Sequence, residues 1–277
     1  GLNKLNKKIK RYRLSNSEIL DSIKKIYNAG IRTVVLQSGE EDDLDAEDFA
    51  RLIAEIKRKF NMAVTLSAGE RNQDDYRLWK QAGADRYLLK IETSDKHLYN
   101  KFHPEMSFEN RLTCLDHLRR LGYQTGCGNL VGLKGQTVST LAEDILFFKR
   151  ENFDMIGVGL FIPHSQTELK NERAGDLKMT LKVLALTRIV NRDCHLPATT
   201  AIGSLHGKDS RALALNAGAN VIMPNFTPDE YKKYYEIYPG KKCLTETGIA
   251  EARQIARTID REIDFSRGDS LKIKNRA

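Results

Sequence analysis

Cysteine is scarce and scattered. The chain of 277 residues has four, Cys114, Cys127, Cys194 and Cys243, and no C-x-x-C pair. That pattern signals neither a zinc site nor a disulfide framework and fits free thiols in a reducing cytosol. Long apolar runs are missing too. No stretch approaches the roughly 20 residues of a membrane helix, and the chain opens without the hydrophobic run of a secretory signal. The reading is a cytoplasmic protein with no membrane partner. There is no H-E-x-x-H, no Ser-His-Asp arrangement and no cluster of metal-ligand histidines, so zinc hydrolysis and serine acyl transfer find no support. Acids are absent from residues 1–14, "GLNKLNKKIKRYRL", which carry six lysine and arginine side chains and no initiator Met.

Lysine and arginine (45) outnumber aspartate and glutamate (37), giving a net charge of +8. The excess lies at the two ends, in Lys4 to Arg13 and in "SLKIKNRA" at 270–277. A nucleic-acid footprint needs basic groups gathered on one face. The distribution instead favours solvated termini and an anion-binding interior, and no nucleic-acid partner.

Short β-rich runs alternate with amphipathic helical patterns. Strands are expected at 32–40, 62–70, 85–93, 123–133, 154–163, 196–204 and 220–226. Helices are expected over 45–60, where Phe49, Ile53 and Ile56 recur at helical spacing, and over 108–122, stopped by Gly122. Another covers 15–30, opened by a Ser15/Glu18 capping box and ended by Gly30. Strands buried on both faces between helices mean a parallel sheet. The fold class is α/β, a (β/α)8-type TIM barrel with seven strands in view and the first expected before residue 1. Residues 1–240 are expected to form the barrel, and 241–277 a helical extension with a basic tail.

In such a barrel the site lies at the C-terminal strand ends. Here those ends read "QSGE", "LSAGE", "KIET", "CGNLVGLKGQT", "GLFIPH", "ATTAIGS" and "MPNFTP". The set is rich in hydroxyls, carboxylates, amides and glycines, and glycine lets the backbone approach a ligand closely. It suits a large, polar, nucleoside-like or zwitterionic ligand.

"TVVLQSGE", "VTLSAGE", "AGADRYLLKIET", "SFENRL", "LGYQTGCGNLVGLKGQT", "FDMIGVGLFIPH", "PATTAIGS", "AGANVIMPNFTP" and "YPGKKC" stand in an order and spacing that resembles the HydE family of radical S-adenosylmethionine enzymes. The family is a branch of FeFe-hydrogenase maturases, and the resemblance runs from residue 1 to about 243. It implies reductive cleavage of S-adenosylmethionine to a 5′-deoxyadenosyl radical, a 4Fe-4S cluster and a small-molecule or organometallic substrate. Other hydrogenase maturases are the implied partners. In the family a C-x-x-x-C-x-x-C loop holds the cluster and is followed by Gly-Leu, which Gly1 and Leu2 resemble. The cluster ligands are therefore expected upstream of Gly1, and this chain alone is expected to be inactive.

The resemblance implies that Ser38, Gly39 and Glu40 take the methionyl ammonium. Thr65 and Glu92 are placed at the cofactor, and Arg111 on its carboxylate. It implies a substrate cavity shaped by Ser67, Lys90, Thr199, Thr200 and Asn225. Phe226 stands where the family has Trp, and His164 matches the family, although a lone histidine beside a proline is more often structural. Lys90-Ile91-Glu92 replaces an Arg-His-Glu, and lysine cannot reproduce a bidentate guanidinium contact. Cys127 and Asn129 are expected to alter the cavity wall, Cys114 to lie in the core, and no second cluster is expected after Cys243. Two other readings stay open: an amino-acid mutase like methylornithine synthase, and a cluster-less barrel that binds S-adenosylmethionine or a small anion.

Overall fold

The computed structural model describes residues 6–204, 210–234 and 248–275. Gly1, Leu2 and Cys243 lie outside the described residues. Five parallel strands run in the order β1 (Thr33–Gln37), β2 (Ala63–Ser67), β3 (Arg86–Leu88), β4 (Gln124–Val131) and β5 (Met155–Leu160). Each is joined to the next by helices on the outer face. These are α1 (Asn16–Asn28) before β1, α2 (Ala46–Lys59), α3 (Gln73–Gln81), α4 (Lys96–Phe102), α5 (Phe108–Arg120) and α6 (Val138–Glu151). Then come α7 (Leu177–Val190), the short α8 (Thr200–Ser204), α9 (Arg211–Asn216) and α10 (Asp229–Lys232), and last α11 (Gly248–Arg257). This is a curved half-barrel of the (β/α)8 type.

Local chemistry sets the helix ends. Ser15 and Glu18 close the expected capping box on α1. Gly30 takes φ +88°, the left-handed stop that a side chain would strain.

The last two expected strands are much shorter than the apolar runs suggested. Met155 bridges His195 and Pro197 bridges Val221, and nothing longer forms there. Pro197 has no N–H to donate, the Asn220 side chain takes the Leu196 N–H at 2.8 Å, and the chain turns into α8 at Thr200. The third expected run, 85–93, is regular only to Leu88. Ile91 N–H and Glu92 N–H then converge on one carbonyl, that of Gly128.

One continuous core lies between sheet and helices. Trp79, Tyr76, Tyr87 and Tyr123 are fully buried there, each contributing about 2–3 kcal/mol by removing apolar surface from water. Their polar ends are met: Trp79 Nε1 donates to Ala46 O, Tyr87 Oη to Gly69 O and Tyr123 Oη to Tyr76 O.

Residues 261–273 fold under the N-terminal ends of the strands and close the barrel floor. Arg86 is the hub. Its Nη2 reaches Arg267 O at 2.7 Å, Gly268 O at 2.9 Å and Asp269 Oδ1 at 3.0 Å, while Nε meets Gln124 Oε1 at 3.1 Å. Thr33 Oγ1 donates to Arg267 O, and Lys272 Nζ to Phe153 O. At least one residue of the basic C-terminal stretch is thus anchored rather than solvated.

Candidate functional site

A cavity of about 2070 Å³ inside the half-barrel is lined by residues from Ile9–Leu14 and, at the floor, from Ile263–Gly268. Ser38, Thr65, Lys90, Glu92, Thr199, Thr200 and Asn225 line it; Gly39, Glu40, Ser67 and Arg111 do not. The expected residues therefore divide into a wall and a layer behind it.

Glu92 dominates the wall. It has φ +63°, a left-handed backbone that costs a non-glycine residue about 1–2 kcal/mol. Such strain persists where the surroundings over-determine it, and it clusters at functional sites. Its N–H donates to Gly128 O at 3.0 Å and its C=O accepts from Leu130 N–H at 2.9 Å. Glu92 Oε2 lies 3.0 Å from Lys90 Nζ, off the hydrogen-bond axis, and is buried without a hydrogen-bond partner. A buried carboxylate oxygen with an unmade hydrogen bond is costly. A ligand that donates to it removes that cost. Lys90 lies over Gly157 and Gly159, where added Cβ atoms would stand 3.7 Å from Cε and 3.3 Å from Nζ. The second contact is tight and the first ordinary, so it is glycine at 159 that gives the lysine head its room.

Behind the wall sits a closed charge network. Arg111, 4% exposed, donates from Nη2 to Glu40 Oε1 at 3.0 Å and from Nε to Tyr99 Oη at 3.1 Å. Glu70 Oε1 is an ion-pair contact 2.8 Å from the same Nε, off that axis. Glu40 Oε2 accepts from Glu70 N–H at 2.7 Å. Burial pushes the Glu70 carboxyl above its ordinary range despite Arg111 and Asn110. Gly69, at φ +73°, makes the layer possible: a Cβ there would stand 2.2 Å from Glu40 Oε2. Arg111 was expected on the cofactor carboxylate, yet the fold commits its Nε and Nη2 to protein groups. Ser38 N–H and Gly39 N–H both point at Ser67 O, at 3.0 and 3.4 Å, so the backbone of this turn offers a cation only carbonyls, of which Gly39 O also accepts from Ser38 Oγ at 3.0 Å. Ser67 enters through that carbonyl.

Thr199 Oγ1 reaches Val158 O at 3.4 Å, and Asn225 Oδ1 accepts from Thr227 N–H at 3.0 Å, fixing its own turn. Phe226 lines the cavity as well. His164 is buried, with Nδ1 3.2 Å from Gln166 N. Cys127 and Asn129 are not in the cavity wall, contrary to expectation. Alternation along β4 turns them to the outer face, where Cys127 joins the core and Asn129 donates to Asp144 on α6. Burial pushes the Cys127 thiol up to about 12. Cys114 lies in the core, as expected.

Glu70, Tyr99 and Asp144 were not anticipated. A signal for Glu70 exists in the matching "SGE" and "AGE" endings of β1 and β2. Tyr99 and Asp144 sit inside ordinary helical patterns and give none.

A model of the Radical SAM superfamily matches residues 3–148, just over half of the chain. The FeFe-hydrogenase maturase subunit HydE of Thermotoga maritima is 49% identical over 250 residues, 90% of this chain and 71% of that protein. The chain belongs to the radical SAM superfamily, on its HydE branch. The 3-methylornithine synthase of Methanosarcina acetivorans is 28% identical, with 77% of this chain aligned to 61% of that protein. Among solved structures, methylornithine synthase superposes with a TM-score of 0.74 at 24% identity, covering 94% of this chain and 77% of that one. The maturase HydG gives 0.72 at 16% identity, covering 90% and 57%. At those identities both show the shared fold.

Radical SAM enzymes use S-adenosylmethionine and a 4Fe-4S cluster. The residues here fit the first: the Glu92 oxygen without a hydrogen-bond partner, the strained turn that aims it and the carbonyl-offering Ser38–Gly39 turn suit a ligand rich in hydroxyl and ammonium donors. The described residues do not fit the second. Cys114, Cys127 and Cys194 are each buried, and no group of three metal-binding side chains occurs among the described residues.

Proposed function

We propose that this HydE-branch chain is the S-adenosylmethionine-binding barrel of a FeFe-hydrogenase maturase. One observation carries the cofactor assignment: Glu92 holds a buried carboxylate oxygen without a hydrogen-bond partner, on strained backbone, at the wall of a cavity of about 2070 Å³. In the family, bound S-adenosylmethionine supplies a carbon-centred radical.

The chain's own residues bind, orient and exclude water. Glu92 accepts from the ribose hydroxyls or the ammonium. Ser38 and Gly39 offer backbone carbonyls to the ammonium, with Glu40 and Arg111 holding the turn from behind. Thr65 stands deeper on the cofactor side. Lys90, Thr199, Thr200 and Asn225 shape the substrate end, with Ser67 fixing the turn above it; Lys90 supplies a point charge for an anionic substrate, small-molecule or organometallic. A cavity floored by residues 261–273 shields a reactive radical from bulk water. The proposed setting is cytoplasmic, with other hydrogenase maturases as partners; no helix among the described residues is long and apolar enough to cross a membrane.

Titration calorimetry with S-adenosylmethionine tests the assignment. The chain is expected to bind it, and Glu92→Gln to weaken binding about ten-fold, the size of one lost charge-assisted hydrogen bond. Unchanged affinity in E92Q would remove the cofactor assignment. Maturation of hydrogenase in a reconstituted mixture tests the wider role.

A further inference from the structure

Asp144 lies on α6, outside the barrel, and is fully buried. No cation pairs with it among the described ion pairs. Its carboxylate accepts three hydrogen bonds: Oδ1 from Ser94 N–H at 2.6 Å and Ser94 Oγ at 2.7 Å, Oδ2 from Asn129 Nδ2 at 2.9 Å. Burial pushes its acidity toward the neutral form, and these three donors pull against that.

The donors are not arbitrary. Ser94 follows Glu92 by two residues, and Asn129 is the residue that Glu92 bridges on the neighbouring strand. Asp144 therefore clamps the segment leaving Glu92 and the strand residue beside it. The clamp reaches further along the chain, because Asp95 caps α4, and α4 carries the Tyr99 that holds Arg111.

We propose that Asp144 is a positioning residue: from the helix layer it holds Glu92 in its left-handed conformation and so aims the Glu92 carboxylate into the cavity. This rests on the reading of Glu92 as a cofactor contact. A buried acid with no counter-cation has poor value as a stabilising element, whereas three convergent donors fix geometry, which a site held to tight tolerance needs from its supporting residues.

A double-mutant cycle read by calorimetry with S-adenosylmethionine tests it, using the chain, E92Q, D144A and the double variant. Each single variant is expected to weaken binding about ten-fold, and the double variant no more than either alone. D144N is expected to stay within about three-fold, since its amide oxygen still accepts from Ser94. Asn129 Oδ1, buried and without a partner, turns to the new amide.

Additive losses, or a lowered unfolding temperature with unchanged affinity, would mean that Asp144 only supports the fold and overturn the proposal. E92Q weakened with D144A at full affinity overturns the positioning alone. E92Q at full affinity overturns the reading of Glu92 and the proposal with it. Should D144A not fold, S94A replaces it in the cycle, with an expected loss of about three-fold that vanishes in the E92Q background.

Discussion

The two ends of the barrel treat charge in opposite ways. On the floor, Lys57, Asp85, Arg86, Arg267 and Asp269 are joined in ion pairs. Desolvation raises Asp269, but hydrogen bonds from Arg267, Gln124 and Arg86 outweigh it and hold the carboxyl at about 2. Asp85 is likewise held below its ordinary range, desolvation being overcome by Val64 N–H, Lys57 and Arg267. At the rim the balance reverses. Burial keeps Glu70 above its ordinary range even beside Arg111, and Glu92 Oε2, although 3.0 Å from Lys90 Nζ, has no hydrogen-bond partner. The floor is built for stability. The rim carries unmet polar groups, the usual signature of a site whose ligand completes it.

The largest expected effect breaks the floor. Arg86→Met removes the buried guanidinium that donates to Asp269 and to the Arg267 and Gly268 carbonyls and should lower unfolding free energy by about 3 kcal/mol, with affinity for S-adenosylmethionine unchanged. Urea unfolding alongside calorimetry checks both halves, and an equal loss of affinity would erase the division between the ends. Gly69→Ala comes next. Its Cβ meets Glu40 and its φ strains a side chain, so about 2 kcal/mol should be lost, showing that the layer behind the rim is structural while the cavity wall is not.

Acid sharpens the contrast. Because the floor carboxylates are depressed, their contribution is present above the unfolded carboxylate range and lost as pH falls through about 4 toward 2. Since Asp269 is 38% exposed, its share is on the order of 1 kcal/mol. His195, lowered by burial and by Arg86, works in the same sense, losing stability as pH falls from about 6.5. Glu70 has the opposite sign: its contribution is present in acid and lost as pH rises through its elevated value. Unfolding curves of the chain and of Glu70→Gln across pH 3–7 separate the two, the variant keeping the acid loss of the floor without the rim's opposing slope. The smallest effect belongs to Lys90→Met. A partly exposed, off-axis pair is worth no more than about 0.5 kcal/mol, so thermal unfolding should scarcely move, and a shift as large as that of Arg86→Met would show the rim to be a stability element.

Much of this was legible in the residues. The capping box of α1, the Gly30 stop and the alternation of strand and helix are local rules, and they appear as read. The strand-end set named part of the cavity wall, Ser38, Lys90, Glu92, Thr199, Thr200 and Asn225, while Gly39, Glu40 and Ser67 fall outside it. The misreadings share a cause. Cys127 and Asn129 were assigned to the cavity, but which face a strand residue takes depends on register against its neighbours, and one step reverses it. What surrounds Arg111 was not legible either: only the approach of Glu40, Glu70 and Tyr99 from three other segments brings its Nε and Nη2 against protein groups. The run at 196–204 has strand composition, yet Pro197 and the Asn220 side chain end its pairing after two bridges.

By itself the sequence determined most element types, the parallel β/α barrel class and the family, since these follow from periodicity, caps and motif order along the chain. Tertiary structure decided which polar groups remain unmet. Glu92 and Glu70 are both acids at strand ends, and nothing local tells them apart. One lies beside a buried guanidinium and the other against an open cavity, and that difference is made by residues far away in the chain, where distance and burial rather than residue type set the energy of a charge.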